Sequence, residues 1–337
     1  MKGGVVRDCR FERNTGGGNG GAVHQEGGLV TNCVFEGNSA TAGGGLWMSA
    51  GEAVDCTFRG NVCRYSYNTL AGAAVAVSGG TLRRAWVIGN QVSTGEYNGF
   101  SGGAVMVAGA DALVENCVIE KNFTKDLGES VAYFRAAGAC MSAGVIRNCL
   151  ISANTNSIAW RNDNYMTFLN GAGLVLTGGR AYNNTIVGNV LGTGAIVNGG
   201  RTAPADDDKP RAGLYLVSGM PVVKNNIVAF SERLVQGGES QMGGVLVANG
   251  TFAKNVTDND TGVSDNLFVA DPAFKNASRG DFHLSIGSET CIDKGDSSVW
   301  STVEDPVDLD NTRRIRNRVV DIGCYEFRVM GTMMIVR

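Results

Sequence analysis

The sequence predicts an all-β fold: a single-stranded right-handed parallel β-helix (a β-solenoid) of about nine coils, with a C-terminal capping segment and long loops on one side. Two short phrases recur along most of the chain, and apolar residues alternate within one of them. Glycine makes up 49 of 337 residues, and no segment has a sustained helical period. A repeated unit too small to bury a core alone must stack on its neighbours, so the repeats indicate a solenoid.

The first phrase ends in asparagine and usually carries cysteine near its start, as in NCVFEGN at 32–38. The closing asparagines are about 23–24 residues apart in the first coils and about 35 apart later, which suits one coil with loop insertions. We expect their amides to bond the local backbone or to stack into a ladder. These residues are Asn14, Asn38, Asn61, Asn90, Asn122, Asn154 and Asn189.

The second phrase is a glycine-rich corner followed by a strand, as in GGAVHQEG at 20–27. Residues two apart face the same side of a strand, so alternate positions form columns when coils stack. The predicted inward column is Val23, Leu46, Val75, Val105, Cys140, Leu174, Leu214 and Val245. The predicted outward column is His24, Trp47, Ala76, Met106, Met141, Val175, Tyr215 and Leu246.

The outward column bears on enzymatic function. β-Helix enzymes of the pectate lyase and polygalacturonase type need carboxylates on the outer face of a sheet, to bind calcium or to act as acid and base. The predicted column contains no Asp, Glu, Lys or Arg. It therefore argues against such an enzyme, and because it is apolar we expect it to be covered.

Insertions between the asparagine phrase and the next glycine phrase provide a cover or a binding surface. They leave the same corner of each coil and carry aromatic residues mixed with charged ones, which can stack sugar rings and bond hydroxyls. Two readings stay open: a lid packed on the apolar column, or a ligand groove. The insertions are 62–71, 91–101, 123–136, 155–170, 190–210 and 231–241. The candidate ligand-binding residues, from two long insertions in consecutive coils, are Tyr133, Arg135, Trp160, Arg161, Asp163 and Tyr165.

Composition narrows the partners. The net charge of −3 lacks the excess of positive charge that is typical of nucleic-acid-binding proteins, and no apolar run is long enough to span a bilayer. With only His24 and His283, and no CxxC spacing, we predict no metal and no cofactor.

Five cysteines at one phrase position predict a column of buried reduced thiols, while Cys291 and Cys324 lie outside it and could pair. That column is Cys9, Cys33, Cys56, Cys117 and Cys149.

Two sets of phrases resemble known bacterial families. The GGA and FxxN phrases at Gly20–Val23, Phe35–Asn38 and Phe58–Asn61 are similar to the repeats of chlamydial polymorphic outer-membrane proteins, which are parallel β-helix passengers of autotransporters. The end of the chain resembles choice-of-anchor Q domain proteins, in which a closing segment follows a β-helix. The matching phrases are DPAFKNASRGDFHLS (271–285), CIDKGD (291–296), DLDNTRRI (308–315) and DIGCYEF (321–327).

These resemblances imply an exported bacterial surface protein and no defined reaction. In the closing phrases, the matching carboxylates are Asp293, Asp308, Asp321 and Glu326, for which turn capping is the plain alternative. His283 is expected to be structural. Arg313, Arg314, Arg316 and Arg318 are expected to pair within the segment with Asp305, Asp308, Asp310 and Asp321. The acidic run 206–208 is expected to be a solvated loop tip.

The expected organisation is a repeat region at 1–262 whose N-terminal cap is missing, C-terminal coils and a capping segment at 263–327, and a tail at 328–337 without a recognisable anchor. The favoured function is a monomeric, non-enzymatic adhesion or glycan-binding module at the outer cell surface, with a polysaccharide or a host or cell-surface glycan as partner. The alternatives are a polysaccharide lyase or glycoside hydrolase with a loop-borne site, and a structural spacer.

Overall fold

The computed structural model describes residues 1–63, 70–93, 101–125, 134–157, 160–163, 166–192, 195–197, 212–234, 240–242, 244–247, 251–258, 263–315 and 319–328. In these residues, strands of successive coils pair in parallel and form long sheets that run along the stack. The predicted parallel β-helix is confirmed. A full coil contributes four strands, and we call the four rows of strands ribbons a, b, c and d in chain order.

Ribbon a holds the strands of the glycine phrase, and its first two strands continue into ribbon b. The strands of ribbon a are Val23–Thr31, Leu46–Val54, Leu70–Val77, Ser101–Val107, Ala139–Met141, Leu174–Leu176, Leu214–Leu216 and Val245–Val247. The separate strands of ribbon b are Val5–Arg7, Gly80–Arg83, Ala112–Glu115, Val145–Arg147, Arg180–Tyr182, Val222–Lys224 and Thr251–Ala253.

Ribbon c holds the asparagine phrase and has ten strands, close to the predicted number of coils. They are Arg10–Glu12, Val34–Glu36, Thr57–Arg59, Trp86–Ile88, Val118–Glu120, Leu150–Ser152, Thr185–Val187, Ile227–Ala229, Val256–Thr257 and Leu267–Phe268. Ribbon d was not predicted, because its short strands lie where the insertions were expected to begin. They are Ser39–Ala40, Val62–Cys63, Gln91–Ser93, Phe123–Lys125, Thr155–Asn156, Val190–Leu191 and Glu232–Leu234, and the strand Ser240–Met242 pairs antiparallel with the last of them.

The capping segment, residues 263–327, contributes the last strand of ribbon c and then leaves the stack. It contains an antiparallel pair of strands, Phe274–Asn276 and Asp281–Leu284. Two short 3-10 turns, Ala277–Arg279 and Ser297–Trp300, complete its regular structure. No helix in the part of the chain described here is long and apolar enough to cross a membrane.

The interior is a set of apolar columns, one residue per coil, because the strands of neighbouring coils are in register. In ribbon c, the rings of Phe11, Phe35 and Phe58 stack with centroids 4.9 and 4.6 Å apart. The column continues through Val87 and Ile119, which are fully buried. Burying a large apolar side chain in every coil stabilises the stack by about 1.5–3 kcal/mol per residue.

The corner between ribbons b and c requires a left-handed residue in every coil. The residues there have φ values between 49° and 68°, a region in which Asn and Asp are better tolerated than most residues. This explains why asparagine or aspartate so often precedes the cysteine of the phrase. The corner residues are Asp8, Asn32, Asp55, Arg84, Asn116, Asn148, Asn183, Asn225, Lys254 and Asp265.

The closing asparagines form the predicted ladder. Asn90 donates from Nδ2 to Oδ1 of Asn122 at 2.9 Å and to the carbonyl of Phe58 at 3.0 Å. Its own Oδ1 accepts from the backbone N and from Nδ2 of Asn61 at 2.9 and 3.0 Å. The same pattern runs from Asn14 to Asn189, so in the middle coils each buried amide is satisfied by the coils on either side.

The cysteine column is made of free thiols, as predicted. Cys33, Cys56, Cys117 and Cys149 are buried, and Cys9 in the first coil is exposed. From Asn184 onward, asparagine replaces cysteine and a second amide ladder begins, in which Asn184 donates to Asn226 at 2.9 Å. Small side chains thus fill this column: thiols in the earlier coils, with Ala85 in place of one of them, and amides in the later coils.

One side-chain assignment in ribbon a was wrong. Cys140 was predicted to point inward and Met141 outward, but Met106 pairs with Cys140 and Val107 pairs with Met141. Met141 therefore belongs to the core, and Cys140 lies in the outward column. Alignment of the glycine phrases sets Cys140 beside Val105, whereas in the structure Val105 pairs with Ala139.

The ladder predicts that a central asparagine contributes more to the free energy of unfolding than a terminal one. We expect Asn90→Ala to lower the free energy of unfolding by about 2–4 kcal/mol, because the partners of Asn90 on both sides lose a buried hydrogen bond. Asn14→Ala is the matched control, since Asn14 is exposed at the end of the ladder and should cost less than about 1 kcal/mol. Urea denaturation measures both, and equal losses would contradict the ladder's role.

Candidate functional site

The outward column of ribbon a is apolar and largely buried. Met106, Cys140, Val175 and Tyr215 are at most 2% exposed, and only the first coils open to solvent, at His24 and Trp47. The expectation that this column is covered is confirmed for these residues. The buried stretch of this column, from Ala76 to Tyr215, has no carboxylate and is closed to water, so it offers neither a calcium site nor an acid–base pair.

The insertions of consecutive coils form adjoining strands beside ribbon a. Phe134–Arg135 pairs in parallel with residues 169–170 of the strand Met166–Asn170. That strand also pairs antiparallel with Trp160–Asp163, and Trp160 lies opposite Leu169. Trp160–Asp163 in turn pairs with Ala195–Val197. The structure thus brings together the backbones of several predicted site residues.

The predicted ligand residues are only partly covered by the described chain. Arg135, Trp160, Arg161 and Asp163 are placed by these strands, whereas Tyr133 and Tyr165 lie outside the described residues. The choice between a lid and a groove depends on ring exposure and stays a prediction. The acidic run 206–208 and the residues Arg316 and Arg318 also lie outside the described part.

Corner asparagines hold the capping segment against the side of the β-helix. Asn183 donates from Nδ2 to the carbonyl of Asp321 at 2.8 Å, and its Oδ1 accepts from Nε1 of Trp300 at 2.9 Å. Asn225 donates to the carbonyl of Asp296 at 3.0 Å and accepts from the backbone N of the same residue at 2.7 Å. Asn116 and Asn148 bond carbonyls of the capping segment in the same way. We call these four residues the asparagine rail.

Apolar residues complete this contact on the outer face of ribbon c. Leu150, Ile227 and Val256 form one buried cluster with residues of the capping segment, including Ile322 and Cys324. In the first coils, the equivalent outward positions hold Arg10, Val34 and Thr57. The capping segment therefore covers this column in the later coils and leaves it open in the first ones.

The carboxylates of the closing phrases have structural partners. Asp308 accepts from the backbone N of Thr312 and of Glu326, and Asp321 accepts from the backbone N of Asp293 at 2.7 Å. Glu326 pairs with the fully buried Arg314 at 3.1 Å. Burial raises the pKa of Glu326 to about 8, and the Arg314 guanidinium opposes that shift. The expected ion pairing within the segment is confirmed for Arg313, which pairs with Asp305, whereas Arg314 pairs with Glu326, which was not among the expected partners.

His283 joins two parts of the capping segment. Its Nδ1 is 2.5 Å from Oδ1 of Asp281, its Nε2 is 2.7 Å from Oδ2 of Asp310, and its ring packs on Tyr325. Burial alone would lower the pKa of His283, but the hydrogen bonds to Asp281 and Asp310 outweigh burial and raise that pKa. Because both ring nitrogens are engaged by carboxylates, His283 links the strand Asp281–Leu284 to the turn that carries Asp310 and has no free nitrogen to act as a base.

A cavity of about 390 Å³ opens beside His283, and Lys275, Glu326 and Arg328 contribute to its lining. Cations and carboxylates alternate around it, so it has no single sign of charge. Among the described residues, no group of three or more His, Cys, Asp or Glu side chains is arranged to hold a metal ion.

A second, smaller groove of about 170 Å³ runs between ribbon b and the loop 300–311. Its lining has three arginines (Arg83, Arg84 and Arg147) and three carboxylates. Arg147 bonds Glu115 through two nitrogens at 2.7 and 2.9 Å and lies 4.9 Å from the ring centre of Trp300. The carboxylates are Glu115, Glu304 and Asp305. The groove is therefore polar and close to neutral.

Cys291 and Cys324, which could have paired, are both free and buried. Burial raises the pKa of each thiol to about 12, so neither is a reactive thiolate. The backbone N of Cys324 bonds Oγ1 of Thr185, which ties this residue to the β-helix.

Comparison with known proteins gives no relatives. No family model matches the chain, and neither a curated protein nor a solved structure matches it significantly. The resemblances seen in the repeats and in the closing phrases therefore remain expectations.

The asparagine rail predicts that removing one of its side chains loosens the capping segment and lowers the stability of the protein. Asn183→Ala should lower the free energy of unfolding by about 2–4 kcal/mol, because Trp300 Nε1 and the Asp321 carbonyl lose buried partners. Asn32→Ala is the matched control: Asn32 holds the same left-handed corner, but it is exposed and its side chain bonds Asp8. Hydrogen exchange in residues 291–324 should rise only for Asn183→Ala, and unchanged exchange there would contradict the rail.

The His283 link predicts a pH dependence with a defined sign. Since the folded pKa is raised above the ordinary value of about 6.5, the stabilisation is complete below that value and is lost as the pH rises through the folded pKa. We expect His283→Gln to flatten the fall of the thermal midpoint between about pH 6 and pH 9. Burial raises the pKa of Glu326 to about 8 and that of Asp258 to about 6, both with the same sign, so Glu326→Gln and Asp258→Asn separate their contributions to the pH dependence. Identical pH profiles for the wild type and His283→Gln would rule out the link.

Proposed function

We propose that this protein is a non-enzymatic module at the outer cell surface that binds glycans or mediates adhesion through the side of its β-helix. The observation that supports this proposal most is the outward column of ribbon a, which is apolar and buried where a pectinase-type enzyme carries its carboxylates. The export and surface location rest on the resemblance of the repeats and of the closing phrases.

The charges of the coils have partners of their own, which also favours a non-catalytic role. Arg83 lies between Glu52 and Glu115, at 3.5 and 3.7 Å. Glu36 pairs with Arg10 and Arg59 in the same way on ribbon c. Ion pairs of this kind join neighbouring coils, and these paired side chains are engaged with each other rather than poised for proton transfer.

The binding surface that we favour is the wall of strands beside ribbon a, where Arg135, Trp160, Arg161 and Asp163 lie in adjoining strands. Long insertions on a rigid scaffold are where binding function usually sits. An aromatic residue among charged groups suits a sugar ring, which stacks through its face and bonds through its hydroxyls.

Glycan arrays with the purified chain test this function. We expect binding to a defined set of glycans and its loss in Trp160→Ala, while Phe268→Ala, which removes an exposed ring elsewhere, keeps binding. The thermal midpoint of both variants should stay within about 2 °C of the wild type. A loss of a few kcal/mol in Trp160→Ala would instead indicate a lid.

Two results would contradict this function. Turnover of a polysaccharide that disappears in Arg161→Ala or Asp163→Ala would identify a loop-borne lyase or hydrolase. Blank glycan arrays together with blank cell-binding assays would favour a structural spacer.

A further inference from the structure

Trp86 is a large apolar side chain exposed on the side of the β-helix. It is the first residue of the fourth strand of ribbon c and is 55% exposed. Other copies of the phrase have Arg10, Val34 or Val118 at this position. A single exposed apolar side chain is ordinary, but an indole that adjoins other apolar side chains forms a surface patch of the kind that marks a contact site.

The surroundings of Trp86 form a flat platform. The strand partners of Trp86 are Thr57 on one side and Val118 on the other, and Ile88 follows on the same face. These three residues are half-buried. Because parallel strands in register lie about 4.8 Å apart, the platform spans about 10 Å across three coils, comparable to the width of one or two sugar rings.

The platform lies at the edge of the capping segment. Val118 and Leu309 both pack against the cluster under that segment, and Asn116 of the same coil bonds the carbonyl of Asp308. Trp86 belongs to the next coil toward the N-terminus, and it is not part of that cluster. The covered face therefore ends beside Trp86, and the edge provides a wall for a bound molecule.

Fixed polar groups flank this platform. The Arg84 guanidinium bonds Asp55 through Nε and Nη2 at 2.7 and 2.8 Å, so both side chains are held in place. Arg84, Asn116 and Asn311 also line the mouth of the polar groove described above. An ion pair with amides nearby supplies hydrogen-bond donors and acceptors for hydroxyl groups. Because its two side chains are already held together, they lose little conformational entropy when a ligand binds.

Charge selects among the sugars. Asp55 pairs with Arg84, Glu115 pairs with Arg83 and Arg147, and the groove is also lined by Glu304 and Asp305. A uronate or a sulfated sugar would find no surplus positive charge here, whereas a neutral hexose can stack on the indole and bond the fixed polar groups.

We propose that Trp86 is the stacking platform of a subsite for a neutral hexopyranose unit, with Arg84, Asp55 and the groove beside the capping segment as its hydrogen-bonding wall. This subsite rests on the proposed glycan-binding function. It gives the protein a second glycan-binding position and specifies a neutral hexose as the sugar bound there. It lies on ribbon c, separate from the wall beside ribbon a.

Isothermal titration with cellohexaose, mannohexaose and hexagalacturonate tests the subsite. We expect the wild type to bind a neutral hexasaccharide, and Trp86→Ala to weaken that binding tenfold or more. Phe268→Ala, which removes an exposed ring at the far end of the same ribbon, should leave the affinity unchanged. Thermal midpoints of both variants should match the wild type, since both rings are exposed.

Three results would overturn the subsite. Wild-type affinity in Trp86→Ala, with binding lost only in Trp160→Ala, would remove the subsite and leave the glycan-binding function standing. Binding of hexagalacturonate alone would contradict the preference for a neutral sugar. If the wild type binds none of the three probes and the glycan array is also blank, the subsite and the proposed function fall together.

Discussion

Every coil of this protein must satisfy its buried polar groups through the coils on either side, and the rest of the structure follows from that constraint. The backbone does so through parallel strand pairing. At the end of the asparagine phrase the side chains continue the pattern, since the amide of Asn90 bonds Asn61 on one side and Asn122 on the other. A buried amide without these neighbours would cost about 1–3 kcal/mol, so the repeat is tolerated only as a stack.

The corner between ribbons b and c serves two purposes. It needs a left-handed residue, and asparagine meets that need because its short amide tolerates positive φ. In the later coils, the amide of the same residue points away from the core and holds the capping segment, as Asn183 and Asn225 do. A residue chosen for backbone geometry thus also joins the two parts of the fold. The exposed platform at Trp86 lies where this contact ends.

The columns of the β-helix could be predicted from the sequence because each depends on a repeated position. The asparagine ladder and the thiol column follow directly from the phrases. The inward place of Met141 could not be predicted, since the pairing register in that coil differs by one residue from the alignment of the glycine phrases. The path of the capping segment was also missed, because it depends on contacts such as Asn116 with Asp308, far apart in sequence. Two signals were present: asparagine before the cysteine in the later coils, and apolar outward residues such as Leu150 and Ile227.

The exchange of asparagine side-chain amide protons, followed by NMR on protein labelled with ¹⁵N at asparagine, tests the role of the ladder most directly. The amides of Asn61, Asn90, Asn122 and Asn154 are buried and bonded on both sides, so they should exchange as slowly as core backbone amides. The exposed amides of Asn32 and Asn311 should exchange rapidly. If the ladder amides exchange as fast as those of Asn32, the coils are not held together through their side chains.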